Sequence, residues 1–172
     1  MDCRWRHVHL LRMYYEIHGR GLPLVLPHGG LSATGSSFGK YIPELAKTHQ
    51  VIALEMQAHG HTADVDRPRR IPTLADDTVA ALGELGVKEA DFFGYSMGAG
   101  IALDIAIRHR KLVRKLVVAS LTSTSRGSIP ASWRAWPSCD RSTWSGLGAT
   151  HAYSCCHRLA ATRLSWSRRS RT

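Results

Sequence analysis

A chain of 172 residues, 44% of them hydrophobic, is long enough for one domain with a buried core. Its net charge of +10 is unevenly placed: residues 1–121 hold 15 Lys and Arg against 12 Asp and Glu, whereas residues 122–172 hold 8 Arg against a single Asp. No apolar run reaches membrane-spanning length, and the N-terminus lacks the apolar centre of a signal peptide. We therefore expect a cytoplasmic protein without membrane contact.

Hydrophobic runs and turn residues predict strands that alternate with helices. Residues 1–9 give no clear signal, and residues 31–37 are small and polar, as in a loop. A helix over 38–48 is expected to start near Pro43, and a second is expected to start at the N-cap Thr73 and to end before Gly86. A third helix covers about 97–109. The predicted strands are 11–18, 22–26, 50–56, the apolar run that ends at Phe93, and 113–120.

This alternation is typical of an α/β fold with a mostly parallel sheet of about six strands and flanking helices. Ligands of such sheets bind beyond the carboxyl ends of the strands. Three loops leave those ends, at residues 27–31, 57–62 and 94–98, and each is rich in Gly or carries His. The sequence therefore predicts a site where these three loops meet.

The third loop carries the most specific motif of the chain, Gly94-Tyr95-Ser96-Met97-Gly98. G-x-S-x-G between a strand and a helix is the pattern of a nucleophile elbow, in which a serine sits on a sharp turn. The two glycines let the strand and the helix approach closely. Ser96 is thus the candidate nucleophile, and the N–H of Met97 at the helix start is a candidate donor to an oxyanion. A plain Gly-Ser turn is the alternative interpretation.

The three loops together resemble the α/β-hydrolase superfamily. The segments Tyr14–Gly19, His28-Gly29-Gly30, Gln57–Thr62 and Gly94–Gly98 match the family in order and spacing, and they are most similar to its esterase, lactonase and haloperoxidase-like branch. The resemblance covers about residues 10–121 and not residues 122–172. Glu55 and Ala58 depart from it, since the family often has Asp and Gly there.

The resemblance implies a role for each matching position. Ser96 would be the nucleophile, the N–H of Met97 one oxyanion donor, and the N–H of Gly30 or Leu31 the second. His28, beside Gly29, would shape its loop rather than transfer a proton. No cofactor and no metal are implied, and the expected substrate is a small ester or lactone.

Residues 122–172 differ in composition from the rest. They hold 11 Ser, 8 Arg and 4 of the 5 Trp, but no Val, Phe, Lys or Glu. The burial of these few aliphatic residues cannot offset the entropy that is lost when the chain becomes ordered. We therefore expect a truncated hydrolase domain at residues 1–121, followed by a largely irregular tail. A shift of the reading frame near residue 122 is our hypothesis for its origin.

The function stays open because the acid and the base that the family pattern places after the serine are not identifiable in this sequence. The family places an Asp and then a His after the serine; Asp140, His151 and His157 follow Ser96 in that order, but chance explains them better. One hypothesis is a serine hydrolase, incomplete in this chain; another is an inactive fragment. A weaker one is nucleic-acid binding through the Arg-rich tail and its stacking tryptophans, Trp133, Trp136, Trp144 and Trp166.

We also expect self-association, because strand 113–120 would be an exposed sheet edge.

Overall fold

The computed structural model describes residues 2–121 and 152–153. Seven strands form one sheet: β1 (Asp2–Val8), β2 (Leu11–His18), β3 (Leu22–Pro27), β4 (His49–Leu54), β5 (Ala90–Tyr95), β6 (Val113–Ala119) and β7 (Ala152–Tyr153). The helices are α1 (Thr34–Phe38), α2 (Ile42–Leu45), α3 (Ile71–Glu84) and α4 (Met97–Arg108), and a 3₁₀ turn (Arg110–Leu112) follows α4. No helix within the described residues is long and apolar enough to cross a membrane.

The strand order in the sheet is β1-β2-β4-β3-β5-β6-β7. The four central strands β4, β3, β5 and β6 run parallel, while β1 and β2 on one side and β7 on the other pair antiparallel with their neighbours. Parallel strands need crossover connections, which the helices supply. The sequence prediction of an α/β fold with about six mostly parallel strands and flanking helices is confirmed.

Each face of the sheet is covered by its own pair of helices. Alternate residues of the central strands, among them Val25, Ile52 and Phe92, pack on one face with buried residues of α3 and α4. The intervening residues, such as Leu26 and Val51, pack on the other face with residues of α1 and α2. The continuous apolar runs of β3 and β4 arise because both of their faces are buried.

Two sequence predictions in the first part of the chain are corrected, and one strand is added where the sequence carries no clear signal. That strand is β1, which pairs along its whole length with β2. The helix expected over 38–48 is two short helices, and α1 starts inside the predicted loop 31–37. Gly39 ends α1, and α2 restarts with Pro43 in its first turn, where the N–H that proline lacks is not needed.

Helix α3 supplies another correction. Thr73 is not the N-cap of α3, because the helix starts at Ile71 and has Pro72 in its first turn. Its predicted end is right, since Gly86 follows the last turn with a φ of 72°. Part of the segment expected to be irregular forms β7, which pairs with Val118 and Ala119 of β6.

Candidate active site

The candidate nucleophile Ser96 lies on the turn between β5 and α4. Its backbone has φ 51° and ψ −112°, a conformation that residues with a side chain seldom adopt. The turn is held from both sides, because the N–H of Ser96 donates to the carbonyl of Ala119 at 2.9 Å and its carbonyl accepts from the N–H of Ala99 at 3.0 Å. Such strain persists only where the surroundings fix it.

The two glycines of the motif are required by close contacts. A Cβ at Gly94 would overlap the carbonyl of Gly98 and lie 2.7 Å from Cα of Ala99. A Cβ at Gly98 would overlap the carbonyl of Pro27, at the end of β3, and lie 2.7 Å from the carbonyl oxygen of His28. Only glycine fits at either position. The glycines of the motif are therefore a consequence of the close packing of α4, which includes its contact with the loop after β3.

Backbone donors converge beside Ser96. Since the hydrogen bonds of α4 begin at the N–H of Ala99, the N–H of Met97 has no partner among the described residues. The loop after β3 passes next to it, because a Cβ at Gly30 would lie 3.8 Å from Cβ of Met97. Leu31 follows with φ 58° and a fully exposed side chain, and the N–H groups of Gly30 and Leu31 also have no partner within the described part of the chain.

His28 is completely buried beneath this loop. The N–H of Met56 donates to its Nε2 at 3.0 Å, so Nε2 is an acceptor and the proton is on Nδ1, which donates to the carbonyl of Gly29 at 2.7 Å. Burial lowers the pKa of His28, because the charged imidazolium is poorly solvated there. With both ring nitrogens engaged, His28 joins the loop after β3 to the end of β4. Gly29 itself packs against the ring of Tyr95, 43% exposed.

The loop after β4 forms a second wall and carries two more histidines. The ring of His59 lies 5.1 Å from that of His28, and its Nδ1 hydrogen-bonds with the carbonyl of Gln57 at 2.8 Å. His61 donates its N–H to the buried carboxylate of Glu55 at 2.6 Å and approaches the same oxygen with Nδ1 at 3.0 Å. Glu55, which departs from the family pattern, thus closes the turn that His61 belongs to.

A buried polar network, which sequence reasoning missed, anchors the same loop. The completely buried Asp77 of α3 accepts two hydrogen bonds from Arg67 and lies 3.0 Å from Nδ1 of His9. Arg67 also donates from Nε to Gln57 at 2.8 Å, and the Gln57 amide donates to Asp64 at 2.7 Å. One signal was readable: Asp77 stands three residues after Leu74, on the apolar side of its helix.

The described residues do not complete a catalytic triad. Neither a histidine nor a carboxylate hydrogen-bonds with the hydroxyl of Ser96 within residues 2–121 and 152–153. In the same part of the chain, no three His, Cys, Asp or Glu side chains cluster as a metal site would require. The distant candidates Asp140, His151 and His157 and the four tryptophans of the tail lie outside the described residues.

Two curated hydrolases are similar to this chain in sequence. The 2-hydroxymuconate semialdehyde hydrolase of Pseudomonas sp. (strain CF600) is 38% identical over 113 residues, which are 62% of this chain and 39% of that protein. A protein named putative carbamate hydrolase RutD, from Rhizobium rhizogenes, is 30% identical over 64% of this chain and 44% of its own length. This chain therefore spans about two fifths of the length of these relatives.

Comparison with solved structures and families agrees with the fold. The structure of Est816, described as an N-acyl homoserine lactone degrading enzyme, superimposes with a TM-score of 0.68 at 27% identity, over 77% of this chain and 51% of that one. The family described as alpha/beta hydrolase fold matches residues 23–149, which is more than half of the chain and extends beyond residue 121. The chain thus belongs to the alpha/beta hydrolase fold family.

Proposed function

We propose that the chain carries the nucleophile and the oxyanion donors of a serine hydrolase that cleaves a small ester or lactone. The observation that carries this proposal is the backbone of Ser96, held at φ 51° between two glycines that admit no side chain. A serine held in a strained backbone conformation lowers the stability of a fold, so packing alone gives no reason for it. A nucleophilic serine, by contrast, must lie on such a sharp turn.

The chemistry follows from the groups around Ser96. Its Oγ attacks the carbonyl carbon of the ester while a base takes its proton. The carbonyl oxygen, now negative, accepts hydrogen bonds from the N–H of Met97 and from that of Gly30 or Leu31. Each such donor contributes about 3 kcal/mol in well-studied enzymes. Collapse expels the alcohol, and water then cleaves the acyl-serine and releases the acid.

The substrate class is supported by the names of similar proteins. A semialdehyde hydrolase and a putative carbamate hydrolase are similar in sequence, and a lactone-degrading enzyme is similar in structure. Those with a lactone or carbamate substrate act on a carbonyl that bears an oxygen or nitrogen leaving group, which Ser96 would attack in the same way. The small-molecule ester or lactone is the substrate most consistent with this set and with the site.

A second candidate is a catalytically inactive member of the family. It is favoured by one observation: within the described residues no base reaches Ser96. In a well-studied serine protease, loss of the histidine alone lowers the rate by about 10⁶-fold. For this reason we expect little or no ester turnover by the chain alone. Translating the source DNA beyond the codon for residue 121 in the other two frames would show whether an Asp and a later His are encoded there.

Added imidazole tests the first proposal, because it can stand in for a missing histidine base. We expect millimolar imidazole to accelerate hydrolysis of a p-nitrophenyl ester by the chain beyond its effect on the Ser96→Ala variant, measured by nitrophenolate absorbance. Equal rates in the two proteins would contradict the role of Ser96. A burst of nitrophenolate from the unmodified chain without imidazole, absent in Ser96→Ala, would contradict the inactive alternative.

A further inference from the structure

A groove of about 540 Å³ lies at the end of α4 remote from Ser96. Since α4 has 12 residues, its two ends are about 18 Å apart, so the groove and the elbow are separate sites. The volume falls in the range of about 300–1,000 Å³ that is typical of small-molecule sites. The groove is lined by Val79, Gly83, Val87, Lys88, Arg108, His109, Arg110, Lys111 and Leu112.

The lining combines apolar walls with positive charge. Val79, Val87 and Leu112 supply the apolar surface, and none of the lining side chains is a carboxylate. A groove with apolar walls and a cationic rim is suited to an organic anion, because the walls contact its apolar part and the rim contacts its charge.

The cations at the rim differ in whether they are already paired. Arg108 donates to Asp104 and, at 2.6 Å, to Asp76, so its charge is compensated. Lys88, Arg110 and Lys111 form no ion pair with any carboxylate in the described part of the chain. Three uncompensated charges therefore face an approaching ligand.

The C-terminal ends of two helices add negative charge to the groove, but less than the positive charge of the lining side chains. Both α3 and α4 end at this groove, and the C-terminus of a helix carries roughly half a negative charge. Because the three full charges of Lys88, Arg110 and Lys111 exceed two partial charges of about half a unit each, the groove stays net positive.

His109 also lines the groove, at the end of α4. Its Nε2 is buried without a hydrogen-bond partner within the described residues, so this atom is turned toward the protein and not toward a ligand in the groove. A ligand is therefore indicated by the apolar walls and by the three cations Lys88, Arg110 and Lys111.

We propose that this groove binds a small organic carboxylate with an aromatic or branched aliphatic body. The carboxylate lies at Arg110 and Lys111, close to His109, and the apolar body packs on Val79, Val87 and Leu112. The site is distinct from the hydrolytic one and does not depend on whether Ser96 is active.

Calorimetric titration of the full chain with benzoate tests the proposal. We expect saturable binding that weakens as salt is raised, and at least tenfold weaker binding of both acetate and benzamide. Acetate keeps the charge without the apolar body, and benzamide keeps the ring without the charge. Equal binding of acetate would overturn the role of the apolar walls, equal binding of benzamide would overturn recognition of the charge, and absence of benzoate binding would overturn the site.

Variants locate the bound molecule. Arg110→Glu and Lys111→Glu should each weaken benzoate binding at least tenfold, whereas Lys40→Glu, the same change of charge at an exposed residue between α1 and α2, should leave it unchanged. Ser96→Ala should bind benzoate like the unmodified chain. Loss of binding in Ser96→Ala, with binding retained in Lys111→Glu, would place benzoate at the elbow and overturn the proposal.

Discussion

At the scale of single residues, the site depends on backbone positions that only certain side chains tolerate. Ser96 takes a positive φ because α4 must start directly beyond β5, and Gly94 and Gly98 allow that approach. The motif could be found in the sequence because this crowding leaves glycine as the only choice. By contrast, His28 bonds to the N–H of Met56, 28 residues away, and no local pattern encodes such a partner.

Replacement of Gly98 by alanine tests the packing of the elbow. The new Cβ would overlap the carbonyl of Pro27, so either β3 or α4 must move. We expect Gly98→Ala to lower the free energy of unfolding by about 3 kcal/mol or more. Gly83→Ala is the control, because a Cβ there meets nothing within 4 Å and alanine is the better helix former, so it should raise stability by about 0.5–1 kcal/mol. Urea unfolding measures both, and equal effects would refute the packing argument.

The lowered pKa of His28 predicts how stability depends on pH. The unfolded chain binds a proton on this ring near its ordinary pKa of 6.5, whereas burial makes the folded chain resist it. The contribution of His28 is therefore fully present above pH 6.5 and is lost as the pH falls below it. His28→Gln, which keeps one donor and one acceptor but does not titrate, should show a smaller drop of Tm between about pH 7.5 and about pH 5.5. An identical drop in both proteins would contradict this assignment.

At the scale of elements, α3 does more than cover one face of the sheet. Through Asp77 it holds Arg67 and Gln57 of the loop after β4, and also His9 of the turn between β1 and β2. Three segments, one of them 68 residues from Asp77 in sequence, thus meet at a single buried carboxylate. The loop that carries His59 is anchored to a rigid helix, which positions it beside the loop after β3.

Neighbouring aspartates of α3 offer a matched test of this anchor. Asp77 is completely buried, whereas Asp76 is exposed and pairs with Arg108 at the surface. Asp77→Ala leaves Arg67 with an uncompensated, largely buried charge, and we expect a loss of about 3–5 kcal/mol in the free energy of unfolding. Asp76→Ala should cost no more than about 1 kcal/mol. Denaturant unfolding of both variants measures the difference, and equal losses would argue against the network as an anchor.

At the scale of the whole molecule, β6 is the parallel strand whose outer side is left largely unpaired by the other described strands. Strand β7 covers it only at Val118 and Ala119, and Val113–Val117 pair with no other described strand on that side. Unpaired N–H and C=O groups of an edge strand are a template for another chain.

We expect the chain to self-associate through the β6 edge. Light scattering over a range of concentrations should show species larger than a monomer at high concentration. Val117→Lys places a charge at the end of the unpaired stretch, next to the residues that β7 covers, and should shift the population toward monomer. Lys40→Glu, far from β6 in the sequence, serves as the control. A monodisperse monomer at every concentration would refute the prediction.

The sequence by itself determined the fold class, the strands between residues 11 and 120, and the strand–turn–helix motif around Ser96. Those features follow from local patterns: apolar periodicity, and glycines where the backbone leaves room for nothing else. Only the tertiary structure decided that residues 2–8 form an edge strand, that α1 and α2 are separate, and that Asp77 joins three segments. Asp77 shows why, because its partner His9 lies 68 residues away in sequence, beyond the reach of any local pattern. The elbow was readable because crowding leaves only glycine at fixed positions on either side of the serine, whereas the partners of a buried side chain are set by the packing of the whole sheet.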